Sequence, residues 1–557
     1  MQLPFDTSAE DAKLASAREH EEEDVARILS EKYRLAYTDL AMQPINAEAL
    51  RLIPEATARK AEAVAFDKAA QKVSLAVLNP NNPELPSLRR DLEERGYRLT
   101  LFLVSRKSFE HALSRYAELS FAAESKVGLF DISEDELSAM ANQLSSISSL
   151  RAFIERATTG AKSANVSRLL EYILAGAFAL RASDIHLEPE DGHIRLRFRI
   201  DGLLTDVTTF DSALYRLIDS RIKILSGLKL NVHDRAQDGR FSVGLHGSEV
   251  EIRTSLIPNA YGESFVMRVL DPKATQVSFD TLGIHPKLFA RLEKEVQRPN
   301  GMLLTTGPTG SGKTTTLYAF LRKVQSPDSK IITIEDPIEY HLNGIVQTQV
   351  EGEHYTFASG LRSIVRQDPD IIMVGEIRDN ETAGIAIQAA LTGHFVFSTL
   401  HTNNAAGTFP RFADLGVDPK EFASAITVSM AQRLVRRLRA DNRKQVPLTD
   451  EQKRLVEKIL STVTDTSLLP ASIDTAWVPE HTSEDDTGYH GRVGLYEAIF
   501  MDDELGAFLR DNPSEADIAR MARKQGYLTM AQDGVLKALA GETTLDEVFR
   551  TVDLPRD

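Results

Sequence analysis

The segment Gly307-Pro308-Thr309-Gly310-Ser311-Gly312-Lys313-Thr314 carries glycine, lysine and a hydroxyl at every fixed position of the pattern G-x-x-x-x-G-K-[ST]. The chemistry of that pattern is phosphate capture. Glycines at 307, 310 and 312 let the backbone turn tightly, so that N–H groups converge on phosphate oxygens, and the positive end of a following helix points at the same spot. Lys313 is spaced to reach the β- and γ-phosphates, and the Thr314 hydroxyl to sit on Mg²⁺. Thr315 belongs to the same nucleotide-binding stretch. The surroundings agree: the apolar run 302–304 reads as a buried strand leading in, and 315–324 as a helix leading out.

In α/β sheets, ligands sit outside the carboxyl ends of the strands. Three further apolar runs, 331–334, 371–374 and 395–400, are followed by Glu335 and Asp336, by Gly375 and Glu376, and by His401, Thr402 and Asn403. A lone carboxylate at a strand end is usually a solvated cap, and a lone histidine a hydrogen-bonded structural residue. Their convergence on a phosphate loop points instead to phosphoryl transfer from a nucleoside triphosphate, with water as the acceptor. Glu335 or Glu376 orients the attacking water and the other supports the metal shell, while His401 senses the γ-phosphate.

These residues need a large scaffold. A chain of 557 residues implies about three or four domains. Hydrophobic content of 42% and charged content of 26% are ordinary for globular protein. The absence of cysteine excludes disulfides, thiolate zinc sites and thiol catalysis, and suits a reducing cytoplasm. Residues 1–13 are polar and acidic, with no secretory pattern. The most apolar helical stretch, 169–180, is too short to span a bilayer and contains Glu171, so membrane attachment would run through partners. A net charge of −16 argues against a surface built to hold nucleic acid.

Residues 1–116 read as a small mixed α/β domain. It has an acidic amphipathic helix from Glu19 through Glu31, strands at 73–78 and 99–104, a turn at 79–83 and a helix at 88–95. Residues 117–150 read as a partly helical linker. A smaller α+β domain follows over 151–270. Val166, Leu169, Leu170, Ile173, Leu174 and Ala177 form its helical stripe. In its strand 194–200, Ile194, Leu196, Phe198 and Ile200 alternate with Arg195, Arg197 and Arg199, one buried face and one basic face. Residues 237–240 read as a turn, 250–255 and 264–269 as strands, and 271–280 as a hinge. The P-loop domain, 281–557, is expected to hold a mostly parallel sheet covered on both faces. Its part beyond 406 reads as mainly helical, with a capping box at Thr449-Asp450-Glu451-Gln452 opening a helix through Ile459.

Four blocks, in order and spacing, carry a resemblance: the loop 307–318, ITIEDPIEY at 332–340, RQDPDIIMVGEIRD at 366–379 and TGHFVFSTLHTN at 392–403. Over about 165–550 the chain resembles the secretion ATPases of type II secretion (protein E) and type IV pilus assembly. The resemblance implies a RecA-like P-loop NTPase core behind a PAS-like α+β domain, Mg²⁺-dependent ATP hydrolysis and a homohexameric ring. It makes Glu335 the water activator and gives Glu376 the Walker B role at Mg²⁺. His394 and His401 match the family's histidine block, and Asp336 and Arg378 lie in its acidic and Walker B blocks. Arg240, Arg253 and Arg268 match arginines turned toward the nucleotide, whereas Arg195 and Arg197 read as a solvated sheet face. The implied place is the cytoplasmic side of the inner membrane, peripheral through a platform protein and a cytoplasmic or membrane adaptor. The long N-terminal extension favours assembly over retraction. One departure is plain: many relatives carry two C-x-x-C pairs where 440–487 has no cysteine, so no zinc is expected. A nucleic-acid motor on the same core, or a non-hydrolysing nucleotide-gated scaffold, are the alternatives.

Overall fold

The computed structural model describes residues 22–40, 45–50, 52–53, 55–69, 71–119, 129–130, 140–141, 143–144, 146–158, 166–245, 248–271, 277–352 and 354–554. The chain divides into two compact units at residues 126/127.

In the first unit, a four-stranded sheet runs in the order Ala36–Tyr37, Arg98–Leu103, Lys72–Val77, Ala63–Ala69. The last two strands form an antiparallel hairpin and the other pairings are parallel. Leu75, Val77, Leu88, Leu92 and Phe109 fill its core. The helix expected at 88–95 begins earlier, as Leu85–Glu94, because Pro86 supplies the fixed φ that suits a first turn. The acidic helix is present over 22–33, and its expected start at Glu19 lies outside the described residues.

The second unit opens with a seven-stranded sheet. Its order is Leu129–Phe130, Gln237–Leu245, Ser248–Asn259, Gly262–Leu270, Asp184–Glu190, His193–Ile200, Leu203–Phe210. Only the short first strand, which comes from the expected linker, pairs parallel. Helices Ile147–Thr158, Val166–Ala179 and Ser212–Leu225 cover the apolar face, where Leu174, Ile185, Leu196, Phe198 and Ile222 pack together. The expected turn at 237–240 is instead the start of a strand. Gly239 is there for close approach, not for bending: a β-carbon on it would lie 2.2 Å from the Ser226 carbonyl oxygen.

The same unit holds a second seven-stranded sheet, ordered Val346–Gln349, Ile331–Glu335, Ile371–Val374, Phe395–Leu400, Gly301–Thr306, Ile426–Leu438, Tyr489–Phe500. All pairings are parallel except the last. The inner strands are buried on both faces, and this is why their sequences read as continuous apolar runs. Met302, Leu304, Ile332 and Ile334 enter one apolar cluster, and Leu303, Ile331, Phe395 and Phe397 the other. The region beyond 406 holds more helix than strand, as expected, but it also carries strands of 13 and 12 residues and the hairpin Arg443–Pro447 with Thr475–Pro479, which were not expected. The sequence Ile-Thr-Val-Ser-Met-Ala-Gln-Arg-Leu-Val-Arg-Arg-Leu of 426–438 is buried on both faces for its first seven residues, so it shows no alternation. Its later residues also favour helix, and pairing with the antiparallel strand Tyr489–Phe500 overrides that preference. The capping box at Thr449 forms and opens helix Asp450–Leu460. Val456, Ile459, Leu460 and Ala476 pack this insert onto the main core.

The two sheets keep separate cores, with cluster residues 144–267 on one side and 279–552 on the other. Ion pairs and hydrogen bonds cross between them. Arg151 pairs with Glu484, Ser148 N donates to Asp485 Oδ1 at 2.8 Å, and Gly491 N donates to Asp201 Oδ2 at 2.9 Å. Arg253 Nη2 donates to the Ile338 carbonyl at 2.6 Å. Of the expected hinge, 272–276 lie outside the described residues. Beyond them Phe279 packs against Phe289 and Phe320, with ring centroids 4.4 and 5.1 Å away.

Candidate active site

Four neighbouring parallel strands end on one edge of the second sheet, and each delivers its functional residue there. Gly301–Thr306 feeds the phosphate loop, which ends in helix Lys313–Val324. Gly312 takes a left-handed conformation at the helix N-cap, φ 88°. Gly307, φ 148°, passes so close to its neighbours that a β-carbon would lie 2.7 Å from both the Gln432 carbonyl and Ser311 Oγ. Buried Gln432 holds the loop from behind, its Nε2 donating to the Ser311 carbonyl at 2.7 Å. Arg433 ties the middle of its own strand to the segment after Phe395–Leu400, donating to the carbonyls of Gln432 at 3.1 Å and Asn403 at 2.8 Å. Neither residue figured among the sequence candidates. Their signal was the basic run at 432–439, which points at the loop only once it is recognised as a strand.

Lys313 Nζ donates to the carbonyls of Gly307 at 2.7 Å and Pro308 at 3.1 Å. Burial lowers its ammonium to about 8; the Glu376 carboxylate opposes that shift and the Arg433 charge adds to it. Glu376 is paired with Arg378, and its Oε2 lies 3.3 Å from His401 Nε2. Glu335 is only 3% exposed. Its Oε1 accepts from Thr333 Oγ1 at 2.6 Å and from Gln347 Nε2 at 3.1 Å, and its Oε2 accepts from the Tyr318 hydroxyl. Burial raises Glu335 above the ordinary carboxylate range, against the pull of those donors.

These groups line a cleft of ≈ 1090 Å³. Its lining brings together the loop, Glu335, Asp336, Glu376, Arg378 and His401 with Asp184, Arg199, Asp201 and Arg268 of the domain before it. Arg433, Arg436, Arg492 and Arg550 also line it. The volume suits a nucleoside triphosphate.

The arginines expected from sequence are not equally placed. Arg240, Arg253 and Arg268 are direct cross-strand partners, and the row continues through Asp184 to Arg199. Neighbours in such a row stand about 5 Å apart, so the first two fall progressively farther from the end that reaches the cleft. Arg268 lines the cleft and bonds Asp184 at 3.2 Å. Arg253 is spent on Glu251, at 2.8 Å, and the Ile338 carbonyl. Arg240 has a side chain 75% exposed, lies 3.7 Å from Glu251, and is not on the cleft wall. Arg199, which sequence reasoning passed over, is on that wall. Arg195 and Arg197 are held by Asp206 and Glu188 within the sheet. His394 and His401, both in the histidine block, are separated by a whole strand. His394 precedes the strand Phe395–Leu400 whereas His401 follows it, and a strand of that length puts the two about 20 Å apart. The His394 ring instead meets the Ala389 carbonyl at 3.0 Å.

Thr314 and Glu376 both line the cleft. A hydroxyl and one carboxylate suit Mg²⁺, which keeps waters and shares phosphate oxygens rather than demanding an all-protein cage. Among the described residues no group of three or more His, Asp and Glu could hold a metal without such help.

A phosphate loop at the carboxyl ends of a parallel sheet, with acidic residues and arginines of the preceding domain lining the same cleft, defines a P-loop ATPase. The chain belongs to the family described as type II/IV secretion system protein, whose model matches residues 159–550, while an MshEN domain matches residues 33–123. Type II secretion system protein E of Dickeya dadantii is 38% identical over 91% of this chain and 98% of its own length. Type IV pilus assembly ATPase PilB of Myxococcus xanthus is 36% identical over 95% of this chain and 91% of its own. The X-ray structure of the Yersinia pseudotuberculosis ATPase DotB aligns with 71% of this chain and 94% of its own, with a TM-score of 0.51 at 19% identity, a likeness of fold. Among the described residues no helix is long and apolar enough to cross a membrane.

Proposed function

We propose that this chain is a homohexameric ATPase that drives assembly of a pilus or pseudopilus, for secretion or pilus extension. It would work in the cytoplasm and reach the inner membrane through a platform protein and an adaptor. The observation that carries the reading is the cleft itself: Lys313, Thr314, Glu335 and Glu376 share its lining with Arg268, on a second domain joined to the first through polar contacts. In this reading the backbone of 307–312 and Lys313 bind the phosphates, Glu335 orients the attacking water, and His401 reports on the γ-phosphate beside Glu376. Thr314 and Glu376 would hold Mg²⁺, which when bound neutralises charge on the β- and γ-oxygens. Arg268 and Arg199 meet charge developing in the transition state. The domain 151–270 moves against 281–557 about the hinge 271–280, and 1–116 docks on the partner beyond the linker 117–150. The test is steady-state ATP hydrolysis by the purified chain across a protein concentration series, with the oligomeric state followed by sedimentation. Turnover that rises as hexamer forms supports a ring motor; hydrolysis by monomer at the full rate overturns it.

A further inference from the structure

Glu335 accepts three side-chain hydrogen bonds at the site, and its partners come from three different elements. Tyr318, fully buried, reaches it from the helix Lys313–Val324 that begins at the phosphate loop. Thr333 lies two residues back on its own strand and therefore on the same face. Gln347 comes from the neighbouring strand Val346–Gln349, directly opposite Thr333. Gln347 is itself fixed, because its Oε1 accepts from Leu342 N at 2.6 Å and its Nε2 also meets the Tyr340 carbonyl at 3.3 Å. An ionised carboxylate has about four acceptor sites. Oε1 takes two donors and Oε2 takes one, so one site on Oε2 is left for a water in the cleft that Glu335 lines.

We propose that Tyr318 and Thr333 are positioning residues that clamp the Glu335 carboxylate so that a single acceptor site on Oε2 is offered to the attacking water. This rests on the reading of Glu335 as the water-orienting residue. The clamp explains why a tyrosine stands inside the helix that opens at the phosphate loop, where an apolar residue would pack as well. It also couples that helix to the acidic strand, so a shift of the loop is felt at the carboxylate. Of the charged and titratable groups near Glu335, Glu339 opposes its ionisation, Tyr340 packs its ring on Tyr318 at 4.6 Å, and Lys313, Asp336, Glu376 and Arg378 share its cleft.

The test uses the full chain and two near-isosteric variants, Tyr318→Phe and Thr333→Val, with Glu335→Gln beside them. ATP affinity is read by equilibrium titration and chemistry by single-turnover phosphate release across pH. The expected result is ATP affinity within about twofold of the parent and a rate lowered about tenfold in each variant. Each lost donor also disfavours the ionised carboxylate, so the acid limb of the rate profile moves up by about one pH unit. A merely structural role for Tyr318 or Thr333 would leave that limb in place. If one variant loses ATP binding altogether, the other decides. Parent-like rates and acid limbs in both, with Glu335→Gln inactive, overturn the clamp and leave the reading of Glu335 standing. Normal turnover by Glu335→Gln overturns that reading and the clamp with it.

Discussion

Raising the pH should weaken ATP binding through one side chain, Lys313. Burial holds its ammonium at about 8, and the nearby Arg433 charge pushes the same way. Phosphate oxygens at the loop supply the opposite charge that favours the ammonium, so nucleotide binding draws a proton onto Lys313 wherever it was neutral. The sign follows. A group whose pKa is depressed in the free protein and restored in the complex gives full affinity below the free value and loses it as pH rises through that value. With a free value of about 8, Lys313 is roughly nine-tenths charged at pH 7 and one-tenth charged at pH 9. Affinity for Mg·ATP should therefore fall about tenfold across that interval, equivalent to ~1.4 kcal/mol. Titration with a fluorescent ATP analogue at pH 7, 8 and 9 measures the fall. Calorimetry at pH 8 in buffers of different ionisation enthalpy should show uptake of about half a proton per site. Equal affinity at pH 7 and 9, with heats independent of buffer, would refute the reasoning and mean that the lysine is fully charged before nucleotide arrives.

Glu376→Gln should keep ATP affinity within about threefold while phosphate release falls at least ~100-fold, as for loss of a group acting mainly in the transition state; normal release would remove Glu376 from the machinery. Gln432→Leu should lower ATP affinity about tenfold, because it frees the loop at Ser311 and strands a buried carbonyl; an unchanged affinity would show that the loop holds its shape alone. Arg268→Ala should cost turnover about 100-fold and Arg240→Ala less than about threefold, since only the former lines the cleft; equal losses in steady-state hydrolysis would mean that the whole arginine row acts on nucleotide.

The phosphate loop, Glu335, Glu376 and His401 could be read from sequence because parallel strands buried on both faces leave an unbroken apolar signature, and their carboxyl ends then mark one edge of the sheet. What escaped was information about pairing. Residues 426–438 carry Gln432 and Arg433 to the back of the loop, yet they lack alternation and favour helix, so only their neighbours make them a strand. Gly239 looked like a bend because glycine marks both bends and close approaches, and nothing in one chain separates the two. His394 and His401 share a motif but sit at opposite ends of one strand, so linear closeness hid a separation of about 20 Å. Arg240, Arg253 and Arg268 are equivalent as residue types. Cross-strand register alone ranks them by distance from the cleft.

The seam between the arginine-bearing domain and the ATPase sheet has a mechanical consequence. Its contacts are ion pairs and hydrogen bonds such as Arg151 with Glu484 and Arg253 with the Ile338 carbonyl, and the apolar clusters on either side do not merge. Partly exposed polar contacts of this kind net only about 0–1 kcal/mol each, because water replaces them when they open. A seam glued by apolar surface would dissipate effort every time it was peeled and would stick when it closed. In the proposed cycle such a seam acts as a low-friction bearing: it yields to a modest torque and leaves more of each hydrolysis event to be delivered to the load.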